Sequence, residues 1–155
     1  MRSYSFKPGQ TQRGVAMVEF AITLPLLLLL LLAIAEFGRM LYHYNNLLQA
    51  NRDAVRYLAG EAWNGNLGQV VIDPVLEART KNLAVYGVPT PQPGNEVVPG
   101  LTTGEVSVGT VGSDHVQVSI SYVFQPVIGS GLPAIIGNAI PLNFPLVATT
   151  VMRGL

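Results

Sequence analysis

The sequence predicts an α+β protein: one long N-terminal helix (a transmembrane part plus an extension), a second helix, and a small antiparallel sheet of about three strands. Three observations carry this expectation. From Val15 to Ala35 only Glu19 and Thr23 interrupt an apolar run, and apolar residues then recur at spacings of four and three as far as Leu58. Asp73-Pro74 and Gly87 bracket a second stretch with residue types that start and stop helices. Beyond Gly104 the pattern shifts to a period of two, the alternation of a half-buried strand.

Composition sets the outer limits. The 155 residues make one small domain with an appendage. Nine Lys and Arg balance nine Asp and Glu. The chain thus lacks the basic surplus that displaces counterions from phosphate, and no nucleic-acid partner is expected. It has no Cys, which removes disulfides and thiolate chemistry. Charged residues are 12 % of the chain, about half the share usual in soluble domains. Much of the apolar excess sits in the opening run.

The first element is a membrane span over residues 15–35, preceded by a leader over 1–14. A hydrocarbon core of about 30 Å takes roughly 20 helical residues, so the run is long enough. Pro25 removes a backbone donor, which lipid-embedded helices tolerate better than most. Arg2, Lys7 and Arg13 precede the span and favour a cytoplasmic N-terminus, while Arg39, Arg52 and Arg56 follow it and dilute the bias. One reading is an unprocessed single-pass protein with a binding or adhesive head. A second is a secretion signal, with Phe20–Leu32 as its apolar region and Ala33-Ile34-Ala35 as the cleavage site before Glu36. An acid at the mouth of that region, and a helical pattern that runs past Ala35, count against the second.

A third reading starts from Gly14. Glu19 stands five residues after it, Phe20 follows, and then comes "AITLPLLLLLLLAIAEFGRMLYHYNN". This resembles the N-terminal signature of type IV pilins and pseudopilins, which a membrane aspartyl protease, the prepilin peptidase, cleaves after the Gly. Leu24-Pro25, the leucine run, Glu36-Phe37-Gly38-Arg39 and Tyr42 bring it closest to the TadE-like minor pseudopilins of tight-adherence (Tad, Flp-type) pilus systems. A weaker likeness continues through "QANRDAVRYLAG" and returns at "ATTVMR". The resemblance implies processing between Gly14 and Val15, with Glu19 and Phe20 as the recognition and alignment motif. It implies the prepilin peptidase, other pseudopilins or pilins, the Tad assembly machinery and the membrane as partners. It also implies the bacterial inner membrane as location, with the N-terminus cytoplasmic and the head periplasmic or, in the pilus, extracellular. The role implied is pilus biogenesis, adherence and biofilm formation.

The motif also makes physical sense by itself. Gly14 has no side chain to hinder a protease. Cleavage there leaves Val15 with an α-amine of pKa about 8, mostly cationic at neutral pH. Residues 15 and 19 share a helical face, so Glu19 is placed to pair with that amine or with a neighbour's. Such a partner offsets the roughly 2.5–3.5 kcal/mol that a charged side chain costs at mid-membrane. The alternative is that Glu19 snorkels to the headgroups and has no particular partner.

Residues 36–61 continue the helix, which from about Ala16 to Glu61 would be roughly 70 Å long. Phe37, Leu41, Tyr44, Leu48, Asn51, Val55 and Leu58 form a heptad-like stripe, with Arg39, His43, Asn46 and Asp53 on the other side. The first six are candidates for packing against other subunits, while part of the stripe packs on the chain's own head. Asn51 interrupts the seam, where a polar residue fixes register. Glu36 and Arg39 read as an interfacial anchor helped by Tyr42 and Tyr44. Gly60 and the Trp63-Asn64-Gly65-Asn66 cluster end the helix.

Residues 62–155 form the head. A turn around Leu67–Ile72 extends the second helix, which carries Val75, Ala78, Leu83 and Val85. The stretch "VPTPQPGNEVVPG" is an extended loop. Glu105–Val108 and His115–Tyr122 are strands joined by a hairpin at Gly112-Ser113-Asp114, with Val116, Val118, Ile120, Tyr122 and Phe124 inward. An apolar connection holding a short helix over Pro133–Gly137 leads to a third strand over Leu142–Met152, which Pro145 confines to an edge or an irregular start. Such a sheet needs a covering helix. No catalytic constellation is present: His43 and His115 lack partners at metal-ligand spacing and read as solvated. The expected function is associative, with no enzyme activity, cofactor or metal.

Overall fold

The structure, a computed structural model, describes residues 13–127, 131–132, 138, 140–141 and 143–155. Residues 1–12 of the leader expected over 1–14, and the short helix expected over 133–137, lie outside the described residues. Helix α1 spans Arg13–Glu61 with Pro25 inside it. By its contacts the chain divides into two units, Met1–Ala35 and Glu36–Leu155.

In the first unit α1 is bare. Its most apolar 18-residue window has a mean hydropathy of 2.6 and none of it is buried, so this helix is long and apolar enough to cross a membrane. Thr23 satisfies its hydroxyl within the helix, donating to the carbonyls of Glu19 at 2.9 Å and Phe20 at 3.3 Å. A hydroxyl that bonds its own backbone costs little in an apolar setting.

The second unit is α+β, as expected. After α1, Trp63–Asn64 (β1) and Gln69–Val70 (β2) pair antiparallel, Trp63 opposite Val70. The expected helical turn over 67–72 is therefore a small hairpin. Asn64 Oδ1 accepts from the N–H groups of Asn66 and Leu67, at 3.0 and 3.2 Å, and this local bonding turns the chain back before a helix can start. Helix α2 spans Pro74–Tyr86 with the expected caps. Asp73 Oδ1 accepts from Leu76 N–H at 2.6 Å, and Gly87, at φ +73°, donates to Leu83 O at 2.9 Å. Of the apolar residues expected on it, Val85 is buried, Leu83 is half-buried and Val75 and Ala78 are exposed, while Thr80 and Ala84 complete its buried face. Thr80 can be buried because its hydroxyl donates to Leu76 O at 2.8 Å.

A short 3₁₀ turn over Thr103–Glu105 leads into β3 (Val106–Val111). Then come β4 (His115–Val123), β5 (Gly131–Leu132), β6 (Ile140–Pro141) and β7 (Pro145–Arg153). The main sheet is antiparallel in the order β3-β4-β7. The hairpin lies where the sequence places it, and Val116, Val118, Ile120, Tyr122 and Phe124 are all buried. They share one core with Leu47, Ala54, Val55 and Leu58 of α1, and with Ala84 and Val85 of α2. At about 25 cal/mol per Å² of apolar area removed from water, this shared burial is the main stabilising term of the head.

The C-terminus closes the head. Gly154 N–H donates to Asp114 O at 2.8 Å and Leu155 N–H to Ala59 O at 3.0 Å, while Val70 N–H reaches Ser113 O at 2.8 Å. A Cβ at position 154 would stand 2.5 Å from Val70 Cγ1 and 3.4 Å from Trp63 Cε3. Gly154→Ala is thus an overpacking change and should destabilise the head by about 1–3 kcal/mol. Gly109→Ala, where an added Cβ meets nothing within 4 Å, serves as its control. Urea unfolding of the detergent-solubilised chain checks this; equal midpoints for the two variants would refute it.

Candidate functional site

The expected processing segment lies in the first unit. The Gly14–Val15 bond falls in the first turn of α1, and a Cβ added at Gly14 would meet nothing within 4 Å. Val15 and Phe20 are exposed. Glu19 is exposed on the Val15 face of the helix, and among the described residues no side chain pairs with its carboxylate.

The second unit holds a cluster that the sequence reading put in the wrong place. Glu36, expected as part of an interfacial anchor, is 5 % exposed. Its Oε1 accepts from Val127 N–H at 2.9 Å and its Oε2 from Arg39 Nη2 at 3.2 Å. Arg39 also donates to Gln125 O, and its guanidinium lies 4.8 Å from the centre of the Phe124 ring. His43, expected to be solvated, is 6 % exposed and meets the rings of Phe124 and Tyr122 edge-on, at 5.7 and 6.1 Å. Tyr122 donates its hydroxyl to Pro99 O at 3.0 Å, and burial raises its pKa, which keeps it a neutral donor. Together these groups fasten the chain leaving β4 to α1.

The cluster re-phases the helix stripe. Glu36, Met40, His43, Leu47, Ala50 and Ala54 are the buried row, one residue before the row expected at Phe37, Leu41, Tyr44 and Leu48. Phe37 and Leu41 are 57 % and 45 % exposed, while Tyr44 and Leu48 are half-buried against the core. Asn51 and Val55 are fully buried in the head and are not open to another subunit. Asn51 Nδ2 donates to Thr150 Oγ1 of β7 at 2.9 Å, so it orders the chain's own sheet. The correction has a physical cause. A reading weighted by apolar size follows Phe37 and Leu41, whereas the sheet's end supplies partners for a carboxylate and ring faces for an imidazole. The same spacings of four and three, counted from Glu36, were the available signal.

Two predictions follow from the geometry. Glu36→Ala strands the Val127 N–H and leaves Arg39 without its carboxylate. Bonds to a charged group contribute about 1.5–3 kcal/mol each, and Arg39 is partly exposed, so we expect a loss of about 2–3 kcal/mol in unfolding free energy. A loss under about 0.5 kcal/mol, the range of an ordinary surface change, would contradict the role given to Glu36. For His43, burial first and the Arg39 charge second lower its pKa below 6.5. The folded head therefore resists a proton that the unfolded chain accepts. Stability is full above pH 6.5 and falls as pH drops below it. His43→Phe should flatten this part of the stability–pH curve. Asp114, whose pKa is lowered chiefly by its hydrogen bond to His115, acts in a separate window: its contribution is present above pH 3.8 and lost as pH falls below it.

No curated protein and no solved structure matches the chain. The family model described as TadE-like protein matches residues 14–56, the part of α1 that carries Gly14, Glu19, Glu36, Arg39 and His43. Over residues 14–56, then, the chain is similar to the TadE-like family.

Proposed function

We propose that the chain is a pseudopilin-like component of Tad-type pilus assembly, processed by a prepilin peptidase between Gly14 and Val15 and held afterwards in the inner membrane by residues 15–35. In this reading the N-terminus faces the cytoplasm until processing, and the head is exported. The function is mechanical and associative, without turnover. It supports pilus biogenesis and adherence through contacts with other pseudopilins and the assembly machinery.

The observation that carries this reading is the TadE-like match over 14–56. Glu19 supports it, because it stands on the Val15 face with no described side-chain partner. Processing would create an α-amine one helical turn away, and that cation is the partner a carboxylate at a membrane needs. Phe20, exposed beside it, is the other half of the recognition motif.

Sequencing the N-terminus of the chain purified from native membranes tests this. Val15 at the terminus is the expected result, and Gly14→Val should block processing. Glu36 at the terminus would instead mark a secreted protein released after Ala35. An intact leader would mark an unprocessed anchor. Either result sinks the proposal.

A further inference from the structure

The head has two ends, and they differ in charge. Its first residue, Glu36, follows Ala35 directly, where the apolar run stops. The contacts of Glu36 and Arg39 gather the exit of the sheet at this end. Val127 N–H lies 2.9 Å from Glu36 Oε1, and Gln125 O accepts from Arg39. Phe124, whose ring meets the Arg39 guanidinium, donates its N–H to Phe144 O at 3.3 Å. The chain thus leaves β4 and returns to β7 beside Glu36.

This end turns apolar groups outward. Phe37, Val123, Val127 and Phe144 are exposed, Val127 by 73 %, and Val123 stands opposite Pro145. From Val116 to Met152 the sequence has no Asp, Glu, Lys or Arg. The two charges that α1 brings here, Glu36 and Arg39, are paired with each other at 3.2 Å. Glu105 precedes β3, one residue beyond the Val106–Ile120 pair, and so lies about 10 Å back along β4 from Phe124. The far end has exposed apolar residues too, Val111 and Leu155, but sets them among charges. Val111 is paired with His115, His115 with Arg153, and Arg153 Nε lies 3.6 Å from Asp114 Oδ2.

We infer that the Glu36 end of the head is a lipid-contacting surface, with Phe37, Val123, Val127 and Phe144 seated in the interfacial layer of the bilayer that residues 15–35 cross. The inference rests on the membrane span of the proposed function and not on processing. An exposed apolar patch marks a binding surface, and chain continuity decides what this one binds. A span over residues 15–35 delivers Glu36 to the edge of the hydrocarbon whatever angle the head takes, and Val127 is one hydrogen bond from Glu36. Groups held that close stand in the headgroup layer, about 5–8 Å deep on each side of a bilayer. Apolar side chains bury there, to about 5–10 Å, without crossing. At that depth Glu105 stays in water, and Asp114 and Arg153 lie farther out still. The head is then held by the end of its sheet as well as by α1, which limits the angles at which it meets other subunits.

The absence of native Cys lets one fluorescent label report on one position. The full chain is reconstituted into phosphatidylcholine vesicles as Leu28→Cys, Thr110→Cys, Val127→Cys or Phe144→Cys, each carrying nitrobenzoxadiazole. Val127→Cys changes an exposed side chain and keeps the backbone N–H that Glu36 binds. Phosphatidylcholine with a nitroxide near the headgroup end of its acyl chain should quench the labels at 127 and 144 to at least about half the extent seen at 28, as insertion to about 5–10 Å requires. The label at 110, exposed on β3, should be quenched by soluble iodide and not by the nitroxide. Quenching at 28 without quenching at both 127 and 144 overturns the inference and leaves the span standing. Labels at 127 and 144 that are shielded from iodide yet untouched by the nitroxide would mean that another copy of the chain covers this end, which also overturns it. No quenching at 28 would refute the span, and the inference with it.

Discussion

Everything in the head depends on one constraint: a three-stranded antiparallel sheet has an apolar face that water will not tolerate, and α1 is what covers it. Val116, Val118, Ile120 and Tyr122 project from β4 into a core whose helical side is Leu47, Ala54, Val55 and Leu58. Sheets this small are not stable uncovered. The small residues Ala50, Ala54 and Ala59 are all buried, which lets the helix backbone come close to the strands. The cost of helix formation is met by tertiary packing along that row rather than by propensity.

Covering the sheet with a helix leaves its end to be closed, and there the chain uses polar groups. After β4 the backbone leaves the ladder at Phe124, and the N–H of Val127 and carbonyl of Gln125 need partners. Glu36 and Arg39 supply them. A buried carboxylate is normally costly, and it is tolerated here because it accepts from a backbone N–H and a guanidinium together. His43 fills the remaining space against two aromatic edges as a neutral ring. The polar cluster and the apolar core are therefore one arrangement: remove α1 and both the sheet's face and its exit lose their partners.

Much of this was legible in the sequence, for reasons that differ by element. The apolar stretch at 15–35, on a helix long and apolar enough to cross a membrane, and the caps of α2 are local signals, and local physics decides them: apolar length in the one case, Asp73 and Gly87 in the other. The alternation at 115–124 is also local, and its five inward residues are those the period of two picks out. The phase of the α1 stripe is not local. Which side of a helix is buried depends on what the sheet presents, and Phe37 and Leu41 are no less apolar for lying outside. The hairpin at 63–70 was missed because Asn64 acts through a side-chain bond to the backbone that composition alone does not reveal. Gly14, Val15, Glu19 and Phe20 gain their meaning from the spacing of the motif. The structure adds to them only that they are exposed on α1.

The placement of Pro145 joins local and global physics. A proline in a strand is usually read as a fault to be confined, and here it does sit at the first position of an edge strand. Its parity matters more than its position. Shifted by one residue, it would face β4 and remove a ladder bond; where it stands, it removes a donor only from the open side. The same parity turns the N–H groups of Val147, Thr149 and Val151 away from β4. A strand with a proline at every outward position would be a closed edge. With one, at its start, the β4 ladder stays whole and β7 has eight further residues of regular backbone.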